Sequence, residues 1–397
     1  MALADYIVVG AGVIGCATAY ELACRGARVT LVDKSLPGRA SSASAGGLWP
    51  LGEAVGLGCG VIYHAAQHEG AAGDPEMLPP AFRTFLELSN ERFPSLAEEL
   101  LERSGIDIEF RAGGGLLFVI YDEAEEAFVE RVARTLPDGR LDILTAAEAR
   151  RHEPALTPEL RGAALLPGEH QVNPMLLAEA YKKAAMRMGV EFLSDLQVTA
   201  LRRQQDRVVG IDAGGRLLPA GCVINAAGAW ASRLAASAGM LLPVFPVRGQ
   251  IVLTETLSPL LRCCLSTSQA YLAQKLHGEI LIGSTTERAG FDVSVTTEAI
   301  AGLCRGAARA IPALQQVQVK RIWAGLRPGT PDELPILGPV EGLAGYLNAA
   351  GGFRTGIVAA PLTGHVVAQA ALDEPPDVPL EPYRLERFAE AERAVSG

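Results

Sequence analysis

Three observations in the sequence predict an α/β chain. Two short β-branched runs, Tyr6-Ile7-Val8-Val9 and Val29-Thr30-Leu31-Val32, read as buried parallel strands. A glycine-rich turn and an apolar helical stretch lie between them. Far downstream, strand-like runs at residues 271–275 and 279–283 flank His277-Gly278, a hairpin signal that predicts a second, antiparallel sheet.

The first unit can be justified residue by residue. Gly10-Ala11-Gly12-Val13-Ile14-Gly15 follows the first strand at once. The helix it opens is expected to run to Arg25 and stop at Gly26. Gly10 permits the tight turn, Gly12 lets backbone approach a pyrophosphate, and Gly15 lets the helix pack on the strand. The helix N-terminus, near Val13 and Ile14, offers N–H donors and a partial positive charge to phosphate. Asp33 ends the second strand, 23 positions after Gly10, where a carboxylate accepts from ribose hydroxyls and repels a 2′-phosphate. Strand, turn, helix, strand and terminal acid within about 30 residues form a Rossmann-like dinucleotide-binding unit.

Composition narrows the rest. The chain has 397 residues, 49% hydrophobic and 20% charged, enough for two cores. A net charge of −10 argues against non-specific nucleic-acid binding. Seven cysteines without a Cys-x-x-Cys pair suggest a reduced, cytoplasmic chain lacking disulfides or a zinc cage. The apolar stretch 6–19 has no basic segment before it and is interrupted by glycines, so a strand running into a helix explains it better than a signal peptide. No transmembrane span is expected, because no window gives about 18 uninterrupted apolar residues. His64 and His68 stand four apart without an acidic or Cys companion, and no metal site is expected. Cys59, Cys263 and Cys264 read as plain thiols.

Two further segments favour FAD over a nicotinamide cofactor. Small residues and hydroxyls in Ser41-Ser42-Ala43-Ser44-Ala45-Gly46-Gly47-Leu48 suit the wrapping of a second cofactor portion, where a nicotinamide enzyme would resume regular βαβ repeats. Near the C-terminus, Tyr346-Leu347-Asn348 reads as a strand, Gly351-Gly352-Phe353-Arg354-Thr355-Gly356 as a loop, and Ile357 onward as a helix. Its N-terminus would face the flavin edge that gains negative charge on reduction. Between these ends, Asn173-Pro174 starts a helix that runs to about Met188, and residues 190–193 and 208–211 read as strands.

These motifs carry a resemblance that spans nearly the whole chain. With Val223-Ile224-Asn225-Ala226-Ala227-Gly228-Ala229-Trp230, Pro246-Val247-Arg248-Gly249-Gln250, Gly283-Ser284-Thr285-Thr286-Glu287 and Gly325-Leu326-Arg327-Pro328, the sequence resembles the D-amino-acid oxidase family of FAD enzymes, which includes glycine and sarcosine oxidases. Residues 45–49, 55–61 and 327–338 are similar to FAD subunits of bacterial multi-subunit dehydrogenases: D-hydroxyproline dehydrogenase, opine oxidase and hydrogen cyanide synthase. The resemblance implies a discontinuous FAD domain (1–48, 144–242, 328–397) interleaved with a substrate domain (49–143, 243–327). It adds Lys34, Val198, Ala227, Gly228, Trp230, Gly249 and Arg327 to the expected cofactor contacts. FAD is expected to be non-covalent, because Pro328-Gly329-Thr330 lacks the attachment residue used in sarcosine oxidases.

The implied activity is oxidation of the C–N bond of a small amino acid or secondary amine carrying a carboxylate. The implied partners are subunits bearing a second flavin or an iron–sulfur cluster, with peripheral membrane attachment only through them. The alternatives are glycine oxidation to hydrogen cyanide, a stand-alone oxidase using O2, a silent flavin scaffold and a nicotinamide dehydrogenase. Arg327 is the expected carboxylate grip, since a guanidinium presents two parallel donors; a domain-interface salt bridge is the competing reading. Tyr271 either touches substrate or merely packs on its strand. Arg354 either contacts the site or faces solvent, and Arg248 is placed equally at the surface or at the site.

Overall fold

A computed structural model describes residues 4–58 and 77–389 of the chain. The two β-branched runs at the N-terminus become neighbouring strands of an eight-stranded sheet. Its parallel centre runs Glu191–Leu193, Val29–Val32, Ala4–Val9, Arg216–Asn225 and Leu343–Ala350. Strands Val198–Gln204, Arg207–Ala213 and Ile336–Val340 extend it antiparallel to their sequence neighbours. Strands such as Val29–Val32, buried at every residue, need cover on both faces.

One cover is helical. Val13–Cys24, Pro174–Arg187 and Gly356–Ala371 bury a common apolar core. Gly364 permits the close approach, since a Cβ there would stand 2.8 Å from the Ala17 carbonyl carbon. The first helix ends at Cys24, one residue before the expected position, and Gly26 turns out at φ +78°. Asn173 caps the middle helix by accepting from the N–H groups of Met175 and Leu176.

The second sheet orders Val319–Gly329, Phe245–Thr256, Glu279–Gly283, Tyr271–Gln274, Cys264–Ser266, Leu116–Ile120, Gly162–Leu166 and Asp142–Thr145. All its pairings are antiparallel except Cys264–Ser266 with Leu116–Ile120. The expected hairpin is present, with Gly278 at φ +100° in its turn.

Sheet membership departs from the expected division, and strand Gly162–Leu166, expected with the FAD unit, lies in the second sheet. A boundary at residue 144 cuts through strand Asp142–Thr145, which pairs with Gly162–Leu166 inside the second sheet. Helices Pro80–Asn90 and Phe93–Ser104, expected with the substrate unit, bury Phe82, Phe85, Phe93 and Leu100 in the helical core of the first sheet instead. Their amphipathic faces match that core, because both present apolar residues at helical spacing.

Candidate active site

The strand ends and loops of both sheets enclose a cavity of about 590 Å3, within the range of roughly 300–1,000 Å3 common for ligand pockets. One end is built from backbone. Gly10 has φ +106°, and a Cβ there would lie 2.4 Å from the Ala226 carbonyl oxygen. At Gly15 the same atom would lie 1.8 Å from the Gly10 oxygen, so the helix and turn touch only through glycine. Gly12, the N-cap of helix Val13–Cys24, supplies no side-chain cap. The Val13 N–H donates to Ser41 Oγ at 2.9 Å.

Asp33 has a double task. Its Oδ2 accepts from the Ala11 N–H at 2.6 Å and its Oδ1 from the Ser35 N–H at 2.5 Å, with Arg39 3.5 Å away. The carboxylate thus fastens the glycine turn to the second strand as well as facing the cavity. On the opposite side, the helix Gly356–Ala371 starts at Thr355, again without a side-chain cap. Gly352, Gly356 and Ile357 line the cavity there.

The other end is built from side chains on the second sheet. Arg327 lies on strand Val319–Gly329, opposite Val247. Its guanidinium lies across Gly249, where a Cβ would come within 2.4 Å of Nη1. It donates from Nη1 to the Thr285 carbonyl at 3.0 Å and from Nη2 to Ser284 Oγ. A guanidinium has five N–H donors, so this anchoring leaves others for a ligand. Tyr271 pairs with Gly283 across the hairpin, and its ring lies over that glycine. The Trp49 ring meets the Tyr271 ring edge-on at 5.7 Å. Arg327, Tyr271 and Trp49 all line the cavity.

Arg354 points inward. Its side chain is 4% exposed, with Nε 2.7 Å from a Glu53 carboxylate oxygen and Nη1 2.8 Å from one of Glu333. The alternative of an exposed Arg354 is therefore corrected: two carboxylates draw it in. Arg248 is also buried, paired with Glu287 and Asp292, and this pairing excludes its placement at the surface.

Of the expected cofactor residues, Gly10, Gly12, Val13, Ile14, Asp33, Lys34, Ser41, Ala45, Gly47, Val198, Ala227, Gly228, Trp230, Arg327, Gly352, Phe353, Arg354, Gly356 and Ile357 line the cavity. Gly15, Ser42, Gly46, Leu48, Gly249 and Thr355 stand behind the lining. Gly15 and Gly249 act from there as close-approach positions. Ser42 instead caps its own turn through the Arg39 carbonyl, and its carbonyl accepts from Trp323 Nε1. The sequence reading missed Trp49, Glu53, Arg39, Arg233 and Gln197. Glu53 and Trp49 had no local signal, because their role depends on partners more than 200 residues away. His64, His68 and Cys59 lie outside the described residues. Cys263 and Cys264 are buried free thiols, and burial pushes both up, Cys264 to about 11.

The residues present fit FAD. Two helix N-termini whose own N-cap residues make no side-chain cap line one cavity, a donor set suited to a diphosphate and to a ring that gains negative charge. A glycine turn and a carboxylate at a strand end complete the cradle.

A Rossmann-like sheet joined to an antiparallel sheet around a dinucleotide cavity defines a flavin-dependent oxidoreductase. The chain matches the family of FAD dependent oxidoreductases over residues 5–370, and it belongs to that family. It is 47% identical to the hydrogen cyanide synthase subunit HcnC of Pseudomonas aeruginosa, over 99% of this chain and 98% of that protein. It is 34% identical to glycine oxidase of Geobacillus kaustophilus, whose crystal structure superposes with a TM-score of 0.84 over 97% of this chain and 98% of that one. Iminodiacetate oxidase from Chelativorans is similar in structure at 28% identity and a TM-score of 0.82, over 96% and 98% of the two chains. Among the described residues no helix is long and apolar enough to cross a membrane.

Proposed function

We propose that this chain oxidises the C–N bond of a small amino acid bearing one carboxylate, with glycine the leading candidate, and that it works as the FAD subunit of a larger dehydrogenase. The observation that carries the reading is the convergence of Arg327 and Tyr271 on the cavity that holds the dinucleotide turn. FAD supplies the two-electron acceptor. Arg327, fixed by Ser284 and Thr285, grips the carboxylate, and its anchoring sets the orientation of the Cα–H. The Tyr271 hydroxyl positions the carboxylate or the amine, while Trp49 and Tyr271 keep water from the reacting carbon. Glycine is favoured because the similar proteins named above include a glycine oxidase and a hydrogen cyanide synthase subunit. The latter is by name a subunit, which supports assembly with partner subunits; partners bearing a second flavin or an iron–sulfur cluster are the proposed electron acceptors.

The test starts with the visible spectrum of the purified protein and acid precipitation of its flavin. Yellow protein that releases FAD is expected. A panel of glycine, sarcosine, D-proline and D-hydroxyproline with an artificial acceptor then reads the substrate. Colourless folded protein that stays colourless with added FAD would sink the cofactor assignment. Turnover of amines without a carboxylate at equal efficiency would sink the role of Arg327.

A further inference from the structure

Glu333 has a backbone conformation at odds with its residue type. Its φ is +61°, the left-handed region where a Cβ is unfavourable and glycine is the easy choice. It lies in the turn after Thr330, whose carbonyl accepts from the Glu333 N–H at 3.3 Å. Its neighbour Asp332 turns away and pairs with Arg387 at 2.7 Å. Glu333 instead pairs with Arg354, which lines the cavity.

Arg354 lies in the loop before helix Gly356–Ala371 and reaches toward the substrate end through a partner. Its second partner, Glu53, sits on the short helix Pro50–Ala54 directly after Trp49, and Trp49 meets Tyr271. An arginine at this wall is a natural grip for an acidic group on a ligand. Here two carboxylates occupy it. Counting both as ionised, these three side chains set one positive charge against two negative charges. Among the described residues, Arg327 is held by neutral oxygens of Ser284 and Thr285.

We propose that Glu333 is a specificity residue: by occupying Arg354 it leaves the carboxylate grip to Arg327 and turns away substrates that carry a second carboxylate. This rests on the reading of the cavity as an amino-acid site. A monocarboxylate such as glycine or sarcosine fits the arrangement. An N-carboxymethyl or N-carboxyethyl amino acid would set its second carboxylate against Glu53, which lines the cavity, with Arg354 already held by Glu333. Discrimination of this kind comes from a repulsive element as much as from an attractive one.

The test uses non-reacting ligands and the FAD-loaded protein, read by the change in flavin absorbance on titration. Acetate and malonate are compared in wild type, Glu333→Gln and Glu333→Gly. The glycine variant removes the carboxylate and suits the turn, so it guards against misfolding. Malonate should bind at least tenfold tighter in both variants, while acetate changes by less than about twofold. Adding Arg354→Gln to Glu333→Gln should erase the malonate gain, which a merely structural role for Glu333 would not predict. Unchanged malonate affinity with normal acetate binding overturns this inference alone. Absence of acetate binding, or acetate binding indifferent to Arg327→Lys, overturns the amino-acid reading itself.

Discussion

The two ends of the cavity are built by different means. At the first sheet the ligand-facing groups are backbone, positioned by Gly10, Gly12 and Gly15 within six residues of chain. At the second sheet they are side chains aimed by residues distant in sequence, Arg327 by Ser284 and Thr285 and Tyr271 by Gly283, and Arg354 reaches across from the loop after the first sheet's last strand, aimed by Glu53 and Glu333. The cofactor end needs local geometry that a few glycines specify. The substrate end needs charge and shape that only the assembled sheet provides. Damage should therefore read differently at the two ends: loss of cofactor and fold at the first, loss of affinity with intact flavin at the second.

The largest effect is expected at Gly15. A Cβ there would stand 1.8 Å from the Gly10 oxygen, a backbone atom that cannot swing aside. Gly15→Ala should cost about 3 kcal/mol or more, as overpacking against fixed backbone does. Thermal unfolding and flavin content measure it. Normal values of both would show that helix and turn tolerate separation, and the contrast between the two ends would weaken.

Arg327 tests the other end. Arg327→Lys keeps charge but loses the fork, and one charge-assisted bond of roughly 1.5–3 kcal/mol corresponds to a ten- to hundredfold fall in kcat/KM. Flavin content should stay normal. A substrate analogue lacking the carboxylate should be poor for wild type yet lose little further in the variant. Gly249→Ala should act in the same direction, because its Cβ would displace the guanidinium lying over it. Loss of FAD in either variant would move Arg327 from the substrate end to the cofactor end.

Asp33 sharpens the comparison, since it serves backbone and ligand together. Asp33→Ala strips the acceptor from the N–H groups of Ala11 and Ser35. Each donor left without a partner costs about 1–3 kcal/mol if water cannot reach it. Asp33→Asn retains one acceptor oxygen, so it should recover part of that stability while still binding FAD more weakly. Equal stability of the two variants would show that the carboxylate serves the ligand alone.

Legibility in the sequence follows the same divide. Residues 6–33 announced strand, turn, helix and acid because every part is local and each glycine has a steric task. The hairpin at His277-Gly278 and the cap at Asn173 were legible for the same reason. The division of units was less so. Whether Asp142–Thr145 joins one sheet or the other depends on its pairing with Gly162–Leu166, and hydrogen-bond partners leave no trace in local composition. The inward turn of Arg354 depends on Glu53, 301 positions away, and on Glu333, whose left-handed backbone no propensity favours.

The smallest effect at neutral pH concerns Lys275, which ties the two ends together. It follows strand Tyr271–Gln274 of the second sheet, and its Nζ donates to the Ala45 carbonyl in the loop that lines the cavity. Burial pulls its pKa from 10.5 down to about 8, with Cys264 and Glu109 opposing the shift and Arg111 adding to it. Below pH 8 the ammonium is charged in the folded and unfolded chain alike, and the folded state bears the burial cost. Between about 8 and 10.5 the unfolded chain holds a proton that the folded chain has released, so stability from this group rises with pH. Lys275→Met removes the titration and the bond to Ala45. Near pH 7 the two changes oppose each other and the variant should differ little from wild type. As pH climbs from 8 toward 10, wild type should gain on the variant by up to about 1.4 kcal/mol per pH unit, the value of one proton. Denaturant unfolding of both proteins at pH 7, 8, 9 and 10 reads the difference, because the other alkaline groups titrate in both and cancel. Parallel stability curves would mean that Lys275 keeps its ordinary pKa and that the link between the two ends is a plain surface-like contact.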